Sequence, residues 1–382
     1  DVTLEGVSDG DDVKVDVSNL TGTLSGKQAG TYTSITLSQL PLTGAAAETY
    51  HVELPVTVPL TGDGVKLLEV PEQDSQGRYE IANEEELRWF AGLVNGDQDI
   101  LGTAQQNNAA NAILTANIEL SDKNWTPIGN QAAVYTGTFD GAGYTIDGMI
   151  VEDLSNSNQG FVGYLGENGR IQNLTLGENC SVNGGKYTGG ICGWNNAGTI
   201  TGCTNKGSVQ GNGDVGGICG HNMSTVENCT NTGAVTSSGN TLGGICGYSH
   251  TSLTDCTNSG AISGDSKQYV GGICGYIDDG TVSGCTNMGT VSGGNDVGGI
   301  CGFSDATIIN CTNRTDVDGS ARVGGICGDN HDQKGTIQNC YSTGNVTGSS
   351  MAGAVCGRNQ KSVENCYWLE NTCDADIGSG SG

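Results

Sequence analysis

The sequence Gly-Gly-Ile-Cys-Gly, or a near-copy, recurs seven times between residues 189 and 357, and a second cysteine follows each copy. The first cysteines are Cys192, Cys219, Cys246, Cys274, Cys301, Cys327 and Cys356, at intervals of 26 to 29 residues. The second are Cys203, Cys229, Cys256, Cys285, Cys311, Cys340 and Cys366, with the same spacing. A period of this length marks a solenoid, in which each repeat buries its apolar face only against its neighbours. Leucine-rich repeats share the length, but their Leu-x-x-Leu-x-Leu signature is absent. Each copy reads instead as three short strands between Gly or Asn turns: "VGGIC", "TVENCTN" and "GAV" with its successors.

Three apolar columns recur in register. They are Val215, Val270, Val297 and Val323; then Ile200, Val226, Leu253, Val282, Ile308, Ile337 and Val363; then Val209, Val235, Ile262, Val291, Val317 and Val346. This pattern predicts an all-β parallel β-helix of three-strand coils, each about 27 residues long. The array begins before its cysteines, because residues 160–176 match a repeat with Val162 and Leu174 in the two cysteine positions. Looser coils precede it in "AILTANIEL" and "YTGTFDGAGYTIDGM". At about 4.8 Å per coil, nine or ten coils would make a rod about 45 Å long.

Proline and glycine agree with this reading. All five prolines lie before residue 128, which fits uninterrupted hydrogen-bonded ladders afterwards. The 65 glycines follow no Gly-X-Y period, so they mark repeated turns rather than collagen. Residues 1–69 read as a small β-sandwich-like module of alternating strands, 70–110 as a linker and capping helix, 111–374 as the β-helix, and 375–382 as a tail. The helix lies in "NEEELRWFAGLVNG", 83–96. Asn83 with Glu86 forms a capping-box-like start, Leu87, Phe90, Leu93 and Val94 share one face, and Gly96 is a stop. It is placed to cover the first open coil.

A formal charge of −27 excludes a nucleic-acid partner and an anionic membrane surface. No run of 18 apolar residues is present, so membrane insertion is not expected. The chain begins at Asp1 and ends in "DIGSGSG", which reads as a processed chain or an excised fragment joined to other domains. Sixteen cysteines lean towards an oxidising, extracellular compartment.

Two cysteines per repeat admit several chemistries. Within a repeat they stand 10, 11 or 13 residues apart and no Cys-x-x-Cys occurs, which disfavours zinc. Seven equivalent copies disfavour a catalytic thiol, which needs one polarised environment. A disulfide within the coil and a small core residue remain. Coil 160–176 loses both cysteines together, so the two positions are expected to face each other. Intra-coil bridges such as Cys219 to Cys229 are the expectation carried forward, with Cys180 and Cys373 outside the register. Ile218 and Cys219 cannot both point inward on a strictly alternating strand, so a corner is required at Gly217 or Gly220.

Other chemistry is weaker. His221, His250 and His331 follow the motif at what read as different offsets, as solvated turn residues do. Asp278, Asp279, Asp305 and Asp329 in neighbouring turns are the candidates for glycoside chemistry, but no basic or aromatic cleft signature accompanies them. "SDGDD", 8–12, could hold Ca²⁺, although its spacing is not that of an EF-hand loop. No other cofactor is expected. The position after the motif holds Trp194, His221, Tyr248, Tyr276 and Phe303, then Asp329 and Arg358. Five rings in register could form a platform for sugars, or could simply stabilise the turn ladder by stacking. Asn205, Asn231, Asn258, Asn287 and Asn313 form a second column, suited to left-handed backbone and to bonding along the stack.

The pattern G-G-[IL]-x-G…T-[IV]-x-x-C-x-x-x-G-x-V resembles the GLUG repeat of bacterial surface proteins, including adhesins and parts of secreted peptidases. The lead-in "YEIANEEELRWFAGLVNG", "ILTANIELSDKNWTPIG" and "YTGTFDGAGYTIDG" is similar to that family too, so the resemblance covers about residues 79–370. Residues 1–62 resemble the later part of a YDG-type module. The resemblance implies extracellular display on a bacterial cell surface and no catalytic residues. The expectation is therefore a non-enzymatic surface protein acting in adhesion or display, with a host glycan or extracellular protein as partner. The alternative is a carbohydrate-active β-helix enzyme or its binding module.

Overall fold

The computed structural model describes residues 70–101, 104–121, 124–264, 269–331 and 335–373, with short segments between residues 14 and 67. The chain forms two compact units, Asp1–Val70 and Pro71–Gly382. In the first, Ser34–Leu37 pairs antiparallel with Gly22–Leu24 and with Val56–Pro59, while Gly30–Tyr32 pairs with Val65–Leu67 and Lys14–Val15 with Leu42–Thr43. The acidic turn 8–12 lies outside the described residues.

The second unit is a parallel β-solenoid. Its strands stack coil on coil into sheets of 8, 10, 11 and 13 strands. A representative coil runs Asp214–Gly216, Cys219–Asn222, Thr225–Glu227, Thr230–Asn231 and Val235–Ser237. The three strands expected for each coil are thus divided into five. One division is a bend at residues 217–218, the required corner, which turns both Ile218 and Cys219 inward with no exposed surface. The other falls before the second cysteine, where Asn173, Gly202, Asn228, Asp255, Gly284, Asn310, Asn339 and Asn365 all adopt positive φ between 51° and 64°. Only Gly, Asn and Asp visit that region at low cost, which explains the residue choice in every coil.

All three apolar columns point inward. Every member is buried except Val363, half-buried in the last strand of its sheet. The second glycine of the motif is dictated by close approach. A Cβ at Gly244 would lie 2.1 Å from the Gly272 carbonyl and 2.4 Å from Asn258 Cγ.

The helix α1, Glu84–Asn95, closes the solenoid interior at its N-terminal end. Asn83 accepts from the Glu86 amide and Gly96, at φ 74°, returns its amide to Gly92 O. The edge strand Tyr79–Ile81 leads into it from the eleven-stranded sheet. Phe90 meets Tyr135 and Phe139, centroids 6.2 and 6.0 Å away, and all three rings are fully buried. A short second helix, α2, Gln98–Leu101, was not expected; Ile100 packs on Gly92 of α1.

Candidate functional site: a ridge of rings and paired charges

In each strand after the corner the cysteine points inward and the residue two positions on takes the outward place, half-buried in every coil except at Asp329, which is buried. In-register pairing therefore sets Trp194, His221, Tyr248, Tyr276, Phe303, Asp329 and Arg358 in one row. Tyr164, which the sequence reading missed, begins this row beside Trp194. His221, Tyr248, Tyr276 and Phe303 stack nearly parallel, with centroids 4.6, 5.2 and 4.8 Å apart and planes within 5°. Tyr187 packs against Trp194 and His221 from the side, and Tyr269 sets its edge against Tyr276 and Phe303. The ring faces are turned on one another, and what reaches solvent is mostly their edges.

Carboxylates lock this row to its flanks. His221 Nδ1 lies 2.8 Å from Asp214 Oδ2, which also accepts from Thr241 Oγ1 on its other oxygen. His250 Nδ1 lies 2.6 Å from Asp278 Oδ1, while the Tyr248 hydroxyl donates to Asp278 Oδ2. His331 Nδ1 lies 3.0 Å from Asp305 Oδ1. Burial, then the Asp278 hydrogen bond and charge, hold the Tyr248 phenol above its ordinary range. Tyr276 is pushed up to about 12, by burial first and by Asp305 and Asp278 second. At the far end Asp296 and Asp329, both almost fully buried, are clamped by Arg322 and Arg358; Arg358 Nε donates to Asp329 Oδ1 at 2.9 Å.

Two expectations about these residues need correction. His250 and His331 do share an offset, and with Asp278 and Asp305 between them they form a row over four consecutive coils. The aligned column Asn196, Met223, His250, Asp278, Asp305, His331 and Gln360 would have shown it. The histidines are also not merely solvated, since each is joined to a carboxylate. The row is linear rather than convergent. Among the described residues no group of three His, Cys, Asp or Glu side chains could hold a metal ion.

The cysteines form two columns of thiols, and the expected intra-coil bridges are not formed. Cys192, Cys219 and Cys246 are in register along one strand ladder. Members of the second column sit in the left-handed turn, where for example Cys229 Sγ donates to Glu227 O at 3.2 Å. The register sets Cys219 beside Cys192 and Cys246 along the column, and no bridge joins it to Cys229 of its own coil. Joint loss of two cysteines in coil 160–176 reflects shared burial in one core. Burial pushes the thiols of Cys274 and Cys301 well above the ordinary range, and that of Cys180 to about 11.

The asparagine column is a buried hydrogen-bonded ladder. Asn205, Asn231, Asn258 and Asn287 each donate Nδ2 to Oδ1 of the next at 2.8 to 2.9 Å, and also cap a backbone carbonyl two residues on. The left-handed residues belong to the separate column before the second cysteine.

Residues 211–236 and 319–347 match the family model described as the GLUG motif. The chain is therefore a parallel β-solenoid carrying GLUG-type repeats. Halomucin of Haloquadratum walsbyi is 38% identical over 109 residues, 26% of this chain and 1% of that protein. A protein of Evansella cellulosilytica, described as a Gly-rich membrane protein, is 35% identical over 88 residues, 23% of this chain and 10% of its own length. The chain thus spans a small part of both relatives. A solved structure from Bacteroides ovatus, described as an immunoglobulin A1 protease, aligns over 83% of each chain at 20% identity with a TM-score of 0.48. Likeness at that level says nothing about activity. No helix among the described residues is long and apolar enough to cross a membrane.

Proposed function

We propose that this chain is a rigid, non-enzymatic segment of a bacterial cell-surface protein, acting in adhesion or display with a glycan or extracellular protein as its partner. The observation that carries this reading is where the polar and aromatic side chains spend their contacts. The ring row, the His250–Asp278 and His331–Asp305 pairs and the asparagine ladder all bind one coil to the next. Such a solenoid holds its exposed edges in fixed register over many coils. The sequence candidates for hydrolysis fit this scaffold. Asp278 and Asp305 are joined to histidines, and Asp329 is buried beneath Arg358. GLUG-type repeats and a relative described as a membrane protein support the surface location.

Beads coated with the chain, set against albumin-coated beads on mucin-secreting epithelial monolayers, test adhesion directly. Selective adherence is expected, with no new reducing ends or unsaturated products when the chain is incubated with soluble polysaccharides. Polysaccharide cleavage, or adherence no greater than that of albumin, would overturn the reading.

A further inference from the structure

The outward position after the second cysteine is threonine in five successive coils: Thr204, Thr230, Thr257, Thr286 and Thr312. The last two coils place Tyr341 and Tyr367 there, in register with each other and with Thr312. Their exposures are 42% and 65%. Among the described residues no ring stacks on either of them, unlike the rings of the ridge, and Trp368 beside Tyr367 is half-buried. Trp368 takes the place that Asn313 and Ser342 hold in the preceding coils. Together with Asn339, Asn365 and Cys340, these three rings line a depression of about 820 Å³ that opens to solvent.

We infer that this depression is a binding site for a neutral oligosaccharide. Its lining carries no charged side chain. A ring with an apolar face and a polar rim can pack that face on an open tyrosine while its hydroxyls reach amides. Asn365 Nδ2 donates to Asn339 Oδ1 at 3.3 Å, which leaves Asn339 Nδ2 as a donor and Asn365 Oδ1 as an acceptor at the rim. Both asparagines are exposed and fixed at left-handed φ, 52° and 51°, by the repeat's own turn. The charge of −27 disfavours an anionic glycan. The inference rests on the adhesive reading and gives it a ligand class and a place.

The test uses the whole chain and four probes: cellohexaose, maltohexaose, xylohexaose and mannohexaose, titrated by calorimetry. At least one is expected to bind, and Tyr341→Thr and Tyr367→Thr are each expected to weaken it about tenfold. Both substitutions restore the residue of the earlier coils, so the fold is retained and thermal unfolding should be unchanged. Thr257→Ala, in an earlier coil and outside the depression, should bind as the parent does. Binding of none of the four probes, or equal binding by both threonine variants, overturns the inference. In either case bead adherence by the parent leaves the adhesive reading standing, and its loss in the parent defeats that reading separately.

Discussion

Tyr248 and Tyr276 lie face to face, ring centroids 5.2 Å apart and planes 5° from parallel. Each coil therefore spends a ring face on the next, and no sugar can lie between them. Tyr248 also stacks on His221 and donates to Asp278, so one side chain joins three coils. Tyr248→Ala should destabilise the solenoid by about 2–3 kcal/mol, while Tyr248→Phe should cost about 1. Urea unfolding followed by circular dichroism measures both. An alanine variant as stable as the parent would show that the stack contributes nothing.

Asn258 is bonded on both sides, accepting from Asn231 and donating to Asn287 and to Gly260 O, and it is fully buried. Asn258→Ala removes the partner of two donors, Asn231 Nδ2 and the Gly260 amide, and of two acceptors, Asn287 Oδ1 and Gly260 O, at a cost of about 2–3 kcal/mol. Thr257→Ala, on the same strand but facing out, should stay within about 0.5 kcal/mol of the parent. Equal loss in the two variants would contradict the ladder.

The repeat period, the inward valines and the capping helix were legible because each is a local pattern copied through the chain. Val235 repeats as Ile262 and Val291, and burial leaves little else for those positions to mean. The fivefold division of the coil was written in the Asn, Gly or Asp before the second cysteine, but only φ shows that this residue is the left-handed one. The thiols were harder to place, because joint loss of two cysteines looks the same for a bridge and for a shared core. The ring row was found in sequence, but its open or closed faces depend on neighbours such as Tyr187 and Tyr269, which lie in a different column.

Asn310 sits at φ 56° in the turn before Cys311. Asn310→Gly should be neutral within about 0.5 kcal/mol, since glycine enters this region freely. Asn310→Ala should cost about 1 kcal/mol from backbone strain. The order glycine above alanine in urea midpoint is the readout, and a reversed order would refute the assignment.

Asp329 has a side-chain exposure of 1% and is clamped by Arg358, with Arg322 Nε 3.8 Å away. Arg358→Met strands this carboxylate, and stability should fall by about 3 kcal/mol. The double change Arg358→Met with Asp329→Leu removes the stranded charge and should recover most of that loss. A double variant no better than the single one would mean that packing, not charge, sets the cost.

The buried thiols of Cys180, Cys274 and Cys301 make stability depend on pH in the alkaline range. An unfolded thiol ionises at about pH 8.5, whereas burial holds Cys180 up at about 11 and pushes Cys274 and Cys301 up as well. Below the unfolded value the thiol is neutral in both states and its contribution to stability is complete. Between the two values the unfolded chain releases a proton that the folded chain keeps, so rising pH favours unfolding. Each such thiol can withdraw up to about 1.4 kcal/mol per pH unit in that window. Urea midpoints should be level up to about pH 8 and fall steeply towards pH 10. Cys180→Ala should fall less steeply than the parent. Under denaturant, titration should find all 16 cysteines reactive, and in the native state at neutral pH only a few should react quickly. A flat pH profile with about two reactive thiols would mean that the columns are bridged after all.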